Sequence, residues 1–150
     1  MQEKEKSNLI NNRLGGSIAI RGFEFQFLYS CYAILLELTE EDLTKKIGLE
    51  RLEDLDIIHK NVYVQLKTSL NDLDASFFIK TNILKNFLDL YQHDKSANFK
   101  LVHNSNISDG NLKKLQHKNI DDKTLEYWTN KIRELDRSLN IDIKDFLSRI

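Results

Sequence analysis

The stretch from Glu53 to Thr68 constrains the fold most, because it alternates in two runs. In the first, Leu55 and Ile57 point one way while Asp54, Asp56 and Ile58 point the other; in the second, Val64 and Leu66 oppose Tyr63, Gln65 and Lys67. Period two on both sides of a break is the pattern of a β-hairpin. Lys60-Asn61 supplies the turn, since Asn tolerates a positive φ. With the turn centred on those two residues, Asp56 should lie opposite Gln65 and Asp54 opposite Lys67. Cross-strand Cβ atoms are about 5 Å apart, so the four polar groups should form one patch.

A chain of 150 residues, 41% hydrophobic and 30% charged, suits one domain that buries about two thirds of its unfolded surface without disulfides. No apolar run approaches the roughly 18 residues that span a bilayer, and the polar start from Met1 to Asn8 lacks the apolar region of a signal peptide. The single Cys31 cannot close an internal disulfide, so a cytoplasmic setting and no membrane contact are expected. The net charge of −1 counts against a monomer that grips nucleic acid by bulk phosphate neutralisation. It leaves room for a local basic surface, or for a grip gained by oligomerising.

Around the hairpin the chain reads as α/β. Residues 1–14 are polar and expected to be mobile, ahead of a domain over 15–150. Gly15-Gly16-Ser17 opens a helix to about Leu38, with Ser17 as N-cap. Ile20, Phe27, Leu28, Cys31 and Leu35 share one side of it, and Gly22, Gln26, Ser30, Ala33 and Glu37 the opposite side. Glu24 falls in the centre of the apolar side, where a carboxylate must be paired, metal-bound or at an edge. The plainer reading sets it half exposed near the helix start, stabilised by the dipole.

A charged connection, Thr39 to Lys46, leads to a short extended segment, Ile47 to Arg51, and then to the hairpin. Ser76 caps a second helix to about Tyr91, its broad stripe from Phe78 to Tyr91 suited to lying across a sheet. Asn98 to Asn104 alternates again, and strand, helix, strand implies a crossover that adds a parallel strand. Asn111 to Lys118 is a short helix; Asp121-Asp122 caps a further one with Leu125, Trp128, Ile132, Leu135 and Leu139 on one face. The tail, Ile141 to Ile150, is amphipathic and has no polar ending, so a continuation of the chain, or a partner, is expected beyond it.

The hairpin patch has the parts of metal-assisted phosphodiester hydrolysis. A hard cation such as Mg²⁺ or Mn²⁺ takes carboxylate and carbonyl oxygens and keeps open water positions. Asp56 offers a direct ligand, Asp54 or Glu50 a second, and the Leu66 backbone carbonyl another. Lys67 would stand beside the metal and stabilise charge developing on a phosphate. The same residues also describe an ordinary solvent-facing sheet with a salt bridge from Asp54 to Lys67.

Family likeness weighs between these readings. A carboxylate on a first helix, an aspartate on one strand and Gln-x-Lys on the next resemble the PD-(D/E)xK restriction-endonuclease-like superfamily. More narrowly, Arg21-Gly22-Phe23-Glu24-Phe25-Gln26, Leu49-Glu50, Glu53-Asp54-Leu55-Asp56-Ile57, Val64-Gln65-Leu66-Lys67-Thr68 and Lys100-Leu101-Val102-His103-Asn104-Ser105 resemble the double-stranded-DNA nuclease domain of CD-NTase-associated effectors of bacterial anti-phage defence. The same domain type occurs in Lamassu-like systems. The likeness covers about residues 13 to 105. It implies a restriction-endonuclease-like core, a small mixed sheet with the central hairpin flanked by helices. It also implies Asp56 as principal metal ligand, Gln65 in the place of a second acid, Lys67 as catalytic lysine, Glu24 as the helix-borne acid and Glu50 as accessory acid. Arg21, Gly22, Phe23 and Gln26 match the family's helix signature. A homo-oligomer and a sensor or ATPase module are the implied partners.

Other residues carry weaker signals. The four histidines have no zinc-ligand spacing. Lys113, Lys114, Lys118, Lys131 and Arg133, with Arg137, are candidate DNA-backbone contacts, although any charged helix has such a face. Two rival functions remain: a nuclease-like fold that has lost catalysis and serves as a scaffold, motivated by Gln65 and the near-neutral charge, and an RNA-directed nuclease.

Overall fold

The computed structural model describes residues 3–38, 45–108 and 110–150. The alternating runs form β2 (Leu55–Ile57) and β3 (Val62–Lys67), antiparallel; β1 (Ile47–Leu49) pairs antiparallel with β2, and β4 (Asn98–His103) runs parallel to β3. The order β1-β2-β3-β4 is the expected mixed sheet with its hairpin in the middle.

The hairpin register differs from the expected one: Asp56 lies opposite Tyr63, and Ile57 opposite Val62. Its cause is the turn. Ile58–Lys60 wind into a 3-10 turn, and Asn61 takes the left-handed backbone at φ 52°, its N–H donating to the Ile58 carbonyl at 3.2 Å. The reversal is thereby centred one residue earlier, and the pairing slips by two. An even slip keeps every side chain on its face. What changes is the company: Asp54 comes beside Gln65, and Asp56 moves inward along the strand.

Both faces of the sheet are covered. One carries α2 (Ala75–Lys80), α3 (Ile83–His93), α4 (Asn111–Gln116), α5 (Asp122–Leu135) and α6 (Ile143–Ser148), packed around Phe78, Phe87, Phe99, Trp128 and Phe146. Phe87 stacks on Phe99 at 4.8 Å between ring centres, and Phe78 meets Trp128 edge-on at 5.9 Å. The expected second helix is divided. Asp74, not Ser76, is its N-cap, accepting the Phe77 N–H at 2.7 Å, and Asn82 at φ 61° breaks the run before α3. Tyr63 joins this core by stacking on Phe99, so the polar row of the hairpin is covered too: Asp56 is 1% exposed and Gln65 5%.

The opposite face carries α1 (Glu3–Leu38) over a smaller core of Ala33, Leu55, Val64 and Leu66, with Phe25, Tyr29 and Val102 beside it. The helix begins at Glu3 instead of Ser17, so residues 3–14 are helical and not the loose segment expected from their polarity. Gly15 and Gly16 each weaken a helix by about 1 kcal/mol, but neither blocks it as proline would. Residues 39–44 of the charged connection, and Asp109, lie outside the described residues.

The orientation of α1 reverses what its apolar stripe implies. Ala33, Ser30 and Glu37 are buried against the sheet, whereas Ile20, Phe27, Leu28 and Leu35 are exposed. Small residues line this contact: even a Cβ at Gly22 would stand in ordinary contact, 3.6 Å from the Thr68 hydroxyl. Glu37 then locks the C-terminal end, accepting His59 Nε2 at 2.8 Å and Lys60 Nζ at 2.6 Å from the hairpin turn.

The Lys60 hydrogen bond holds the Glu37 carboxyl below its ordinary value of 4.5. A depressed carboxyl stabilises the fold above its unfolded pKa and loses that contribution as pH falls through the folded one. Glu37→Gln is therefore expected to lower the melting temperature at neutral pH and to change it little at about pH 3. Thermal melts of both proteins at the two pH values check this.

Candidate active site

The residues joining β1 to β2, Glu50 to Asp54, contain three acids and are held in one shape. Glu50 adopts a left-handed backbone at φ 48°, and its N–H donates to the Asp54 carbonyl at 3.2 Å. Asp56 holds the turn from below: its carboxylate accepts the Leu52 N–H at 3.3 Å and the Glu53 N–H at 3.2 Å. These two amides satisfy a charge that could not otherwise be buried.

Asp54 stands at the open end of the hairpin. Its carboxylate accepts the Leu66 N–H at 2.6 Å and a hydrogen bond from the Gln65 side-chain amide. Glu53 beside it is 6% exposed, and its Oε1 has no hydrogen-bond partner. Burial, then the charge of Asp54, pushes the Glu53 carboxyl up to about 7, with Asp56 adding to the rise and Lys67 opposing it.

Between this acidic turn and α1 lies a cleft of about 500 Å³, lined by Phe23, Gln26, Phe27, Ser30, Leu49, Glu50 and Asp54. A second hollow of about 320 Å³ shares Phe23 and Gln26 with it and is lined further by Gly22, Leu66, Lys67 and Thr68. Acids thus open on one hollow and the lysine on its neighbour, with Gln26 common to both.

The expected site residues divide accordingly. Asp54, Glu50, Lys67, Leu66, Gly22, Phe23 and Gln26 line the two hollows, and Gln65 is bonded to Asp54. Asp56 does not: it is enclosed opposite Tyr63, with its oxygens committed to the turn amides, because the register slip draws it inward. Nor does Glu24, which is exposed on the outward side of α1, since the helix docks by its small residues. Arg21 lines a separate small hollow with Thr68, Ser69, Leu70 and Asn104.

The candidate DNA contacts sit on or just after α4 and α5, on the other face of the sheet, and line neither hollow. Lys114 pairs with Asp121 at 2.8 Å, Lys131 with Glu134 at 2.7 Å, and Lys118 donates to the Ser148 carbonyl at 2.9 Å. On the α1 side stands Lys100, which donates to the Tyr29 hydroxyl at 3.2 Å and which sequence reasoning passed over. Glu53 was also missed. Its position beside Asp54 in the acidic turn was the available signal, but alternation says nothing about burial inside a loop.

Among the described residues no three acidic, histidine or cysteine side chains already converge as a ligand shell. The donor chemistry nevertheless fits a hard divalent cation: an orphaned buried carboxylate oxygen on Glu53 next to the charge of Asp54 is a negative concentration that Lys67, among the described residues, offsets.

A family model described as Cap4, dsDNA endonuclease domain, matches residues 14–149. No curated protein and no solved structure gives a match.

A carboxyl raised on folding penalises the folded state as it ionises, so stability should fall between about pH 4.5 and pH 7. Denaturant titrations should show a loss on the order of 2 kcal/mol across that window, absent in Glu53→Gln.

Proposed function

Because the chain belongs to the Cap4 double-stranded-DNA endonuclease domain family, a DNA endonuclease domain of anti-phage defence, we propose that it cuts at the cleft between the acidic turn and α1, with a divalent metal, Mg²⁺ or Mn²⁺. The meeting of Asp54, Gln65 and Lys67 at the open end of the hairpin carries this reading. Asp54 takes the role of principal metal ligand that the family likeness implies for Asp56, with Glu50 and the Leu66 carbonyl as further donors. Bound there, such an ion would supply an activated water and offset charge on the phosphate.

The chain's own groups do the rest. The Gln65 amide and the Leu66 N–H fix the orientation of Asp54, so that its carboxylate is set before a substrate arrives. Lys67 places a positive charge where a phosphodiester lying along the two hollows gains negative charge. Gln26 can donate to the same phosphate from the helix side. Glu24 has no part in this chemistry, and Asp56 acts by shaping the turn. A sensor or ATPase module that governs cleavage, and a cytoplasmic setting, complete the proposal; no described helix is long and apolar enough to cross a membrane.

Supercoiled plasmid incubated with Mg²⁺ or Mn²⁺ tests the assignment. Asp54→Ala and Lys67→Ala should each lose at least about a hundredfold in cleavage rate without losing the fold. Asp56→Ala should instead lower stability by about 1–3 kcal/mol, because two turn amides, that of Glu53 buried, lose their acceptor. Cleavage left unchanged by Lys67→Ala would sink the site. Faster cutting of tRNA than of duplex DNA would favour the RNA-directed alternative.

A further inference from the structure

A third hollow, of about 70 Å³, continues the two that lie beside α1. Thr68 lines both it and the Lys67 hollow, and its other walls are Arg21, Ser69, Leu70 and Asn104. The row therefore runs from the acidic cleft, past Lys67, to Arg21. The docking of α1 brings the arginine there, since a Cβ on the next residue, Gly22, would stand 3.6 Å from the Thr68 hydroxyl. Leu70 is 78% exposed, so this end of the row opens to solvent.

The lining holds donors and no carboxylate. Among the described residues the Arg21 guanidinium has no hydrogen bond or ion pair, whereas Lys114, Lys118 and Lys131 are already engaged. Asn104 Oδ1 accepts the Ser69 N–H at 3.1 Å, which leaves the Asn104 side-chain N–H groups to donate elsewhere. The Ser105 hydroxyl fixes the same loop by donating to the Ser69 carbonyl at 2.6 Å. Ser69 commits its own hydroxyl to Asn71, so Arg21, Thr68 and Asn104 are the donors that remain. A planar guanidinium flanked by a hydroxyl and an amide matches the oxygens of a phosphate, and a loop already fixed loses little freedom on binding one.

We propose that this hollow holds a backbone phosphate of the DNA strand being cut, the one flanking the phosphate that lies against Lys67. Arg21 grips that phosphate and fixes where the strand lies along the row; it touches no reacting atom. The inference rests on the nuclease reading, from which it takes the strand and its course. It puts a local phosphate grip on the α1 side of the sheet, in a chain whose net charge is −1.

The test is binding of a short duplex, with Ca²⁺ in place of Mg²⁺, followed by fluorescence anisotropy over a range of salt. The duplex carries hydroxyl ends, so that every phosphate it offers is internal. Arg21→Gln should weaken binding about tenfold at low salt. It should also make the slope of log Kd against log salt shallower by about 0.9, the signature of one lost phosphate contact. Arg21→Lys should restore the slope. Thr68→Val, which removes an uncharged donor, should weaken binding about fivefold with the slope unchanged. A slope unmoved by Arg21→Gln, or one that falls with Lys131→Gln instead, overturns the subsite, as does undiminished binding by Thr68→Val. In each of those cases the nuclease reading stands, because the unmodified chain still binds the duplex. Failure of the unmodified chain to bind overturns both. Arg21 is exposed, and circular dichroism checks that its replacement folds; should it not, Thr68→Val decides.

Discussion

The buried carboxylate of Asp56 organises the working end of this molecule. A charge with almost no exposure survives there because two peptide N–H groups of the β1–β2 turn point at it. That requirement runs in both directions: the turn satisfies the aspartate, and the aspartate fixes the turn. Glu50 is thereby held in a left-handed conformation that costs a non-glycine residue on the order of 1 kcal/mol. Asp54 and Glu53 are set at the strand mouth with one carboxylate anchored and the other short of partners. The acid that the family likeness marks as principal ligand is the one whose oxygens hold the turn.

α1 shows a second constraint, that closeness can outrank hydrophobicity. A helix laid on a twisted sheet beside a row of polar strand ends gains from small residues that permit approach and from one acid matched to the basic turn. The sequence of α1 offers this on the Gly22–Glu37 side and offers bulk on the other. The bulky side is left exposed.

Much of the fold was legible. The strands, their mixed directions, the crossover and the cap at Asp121 follow from alternation, order and short polar side chains; the cap at Asp74 does not, because Ser76 two residues on offers the same kind of capping oxygen. The hairpin register was not, because Lys60-Asn61 admits several turns, and only the conformations of Ile58–Lys60 and Asn61 select among them. Face assignment survived the slip, being a matter of parity; the pairing of Asp56 with Gln65 did not. That Lys67 opens on a hollow beside α1, and that Gln65 stands next to Asp54, follows the order of the motifs; the prominence of Asp54 at the cleft does not, since it stood there only as one of two secondary choices. Helical periodicity placed Glu24 correctly on the apolar side of α1 and misled only by the assumption that the apolar side faces inward.

The two cores flanking the sheet are unequal. Five helices and their aromatic cluster secure one face, whereas among the described residues α1 meets a smaller core of Ala33, Leu55, Val64 and Leu66, with Phe25 and Tyr29 beside it, and is anchored at Glu37. Proteins open in cooperative units whose free energies track such packing. On these contacts α1 is the unit expected to separate first, its amide protons exchanging ahead of those in β3 and β4. The cleft has α1 for one wall, so its completeness is set by the smaller of the two described cores, and anything that binds α1 only in its docked position raises the population in which the wall is in place.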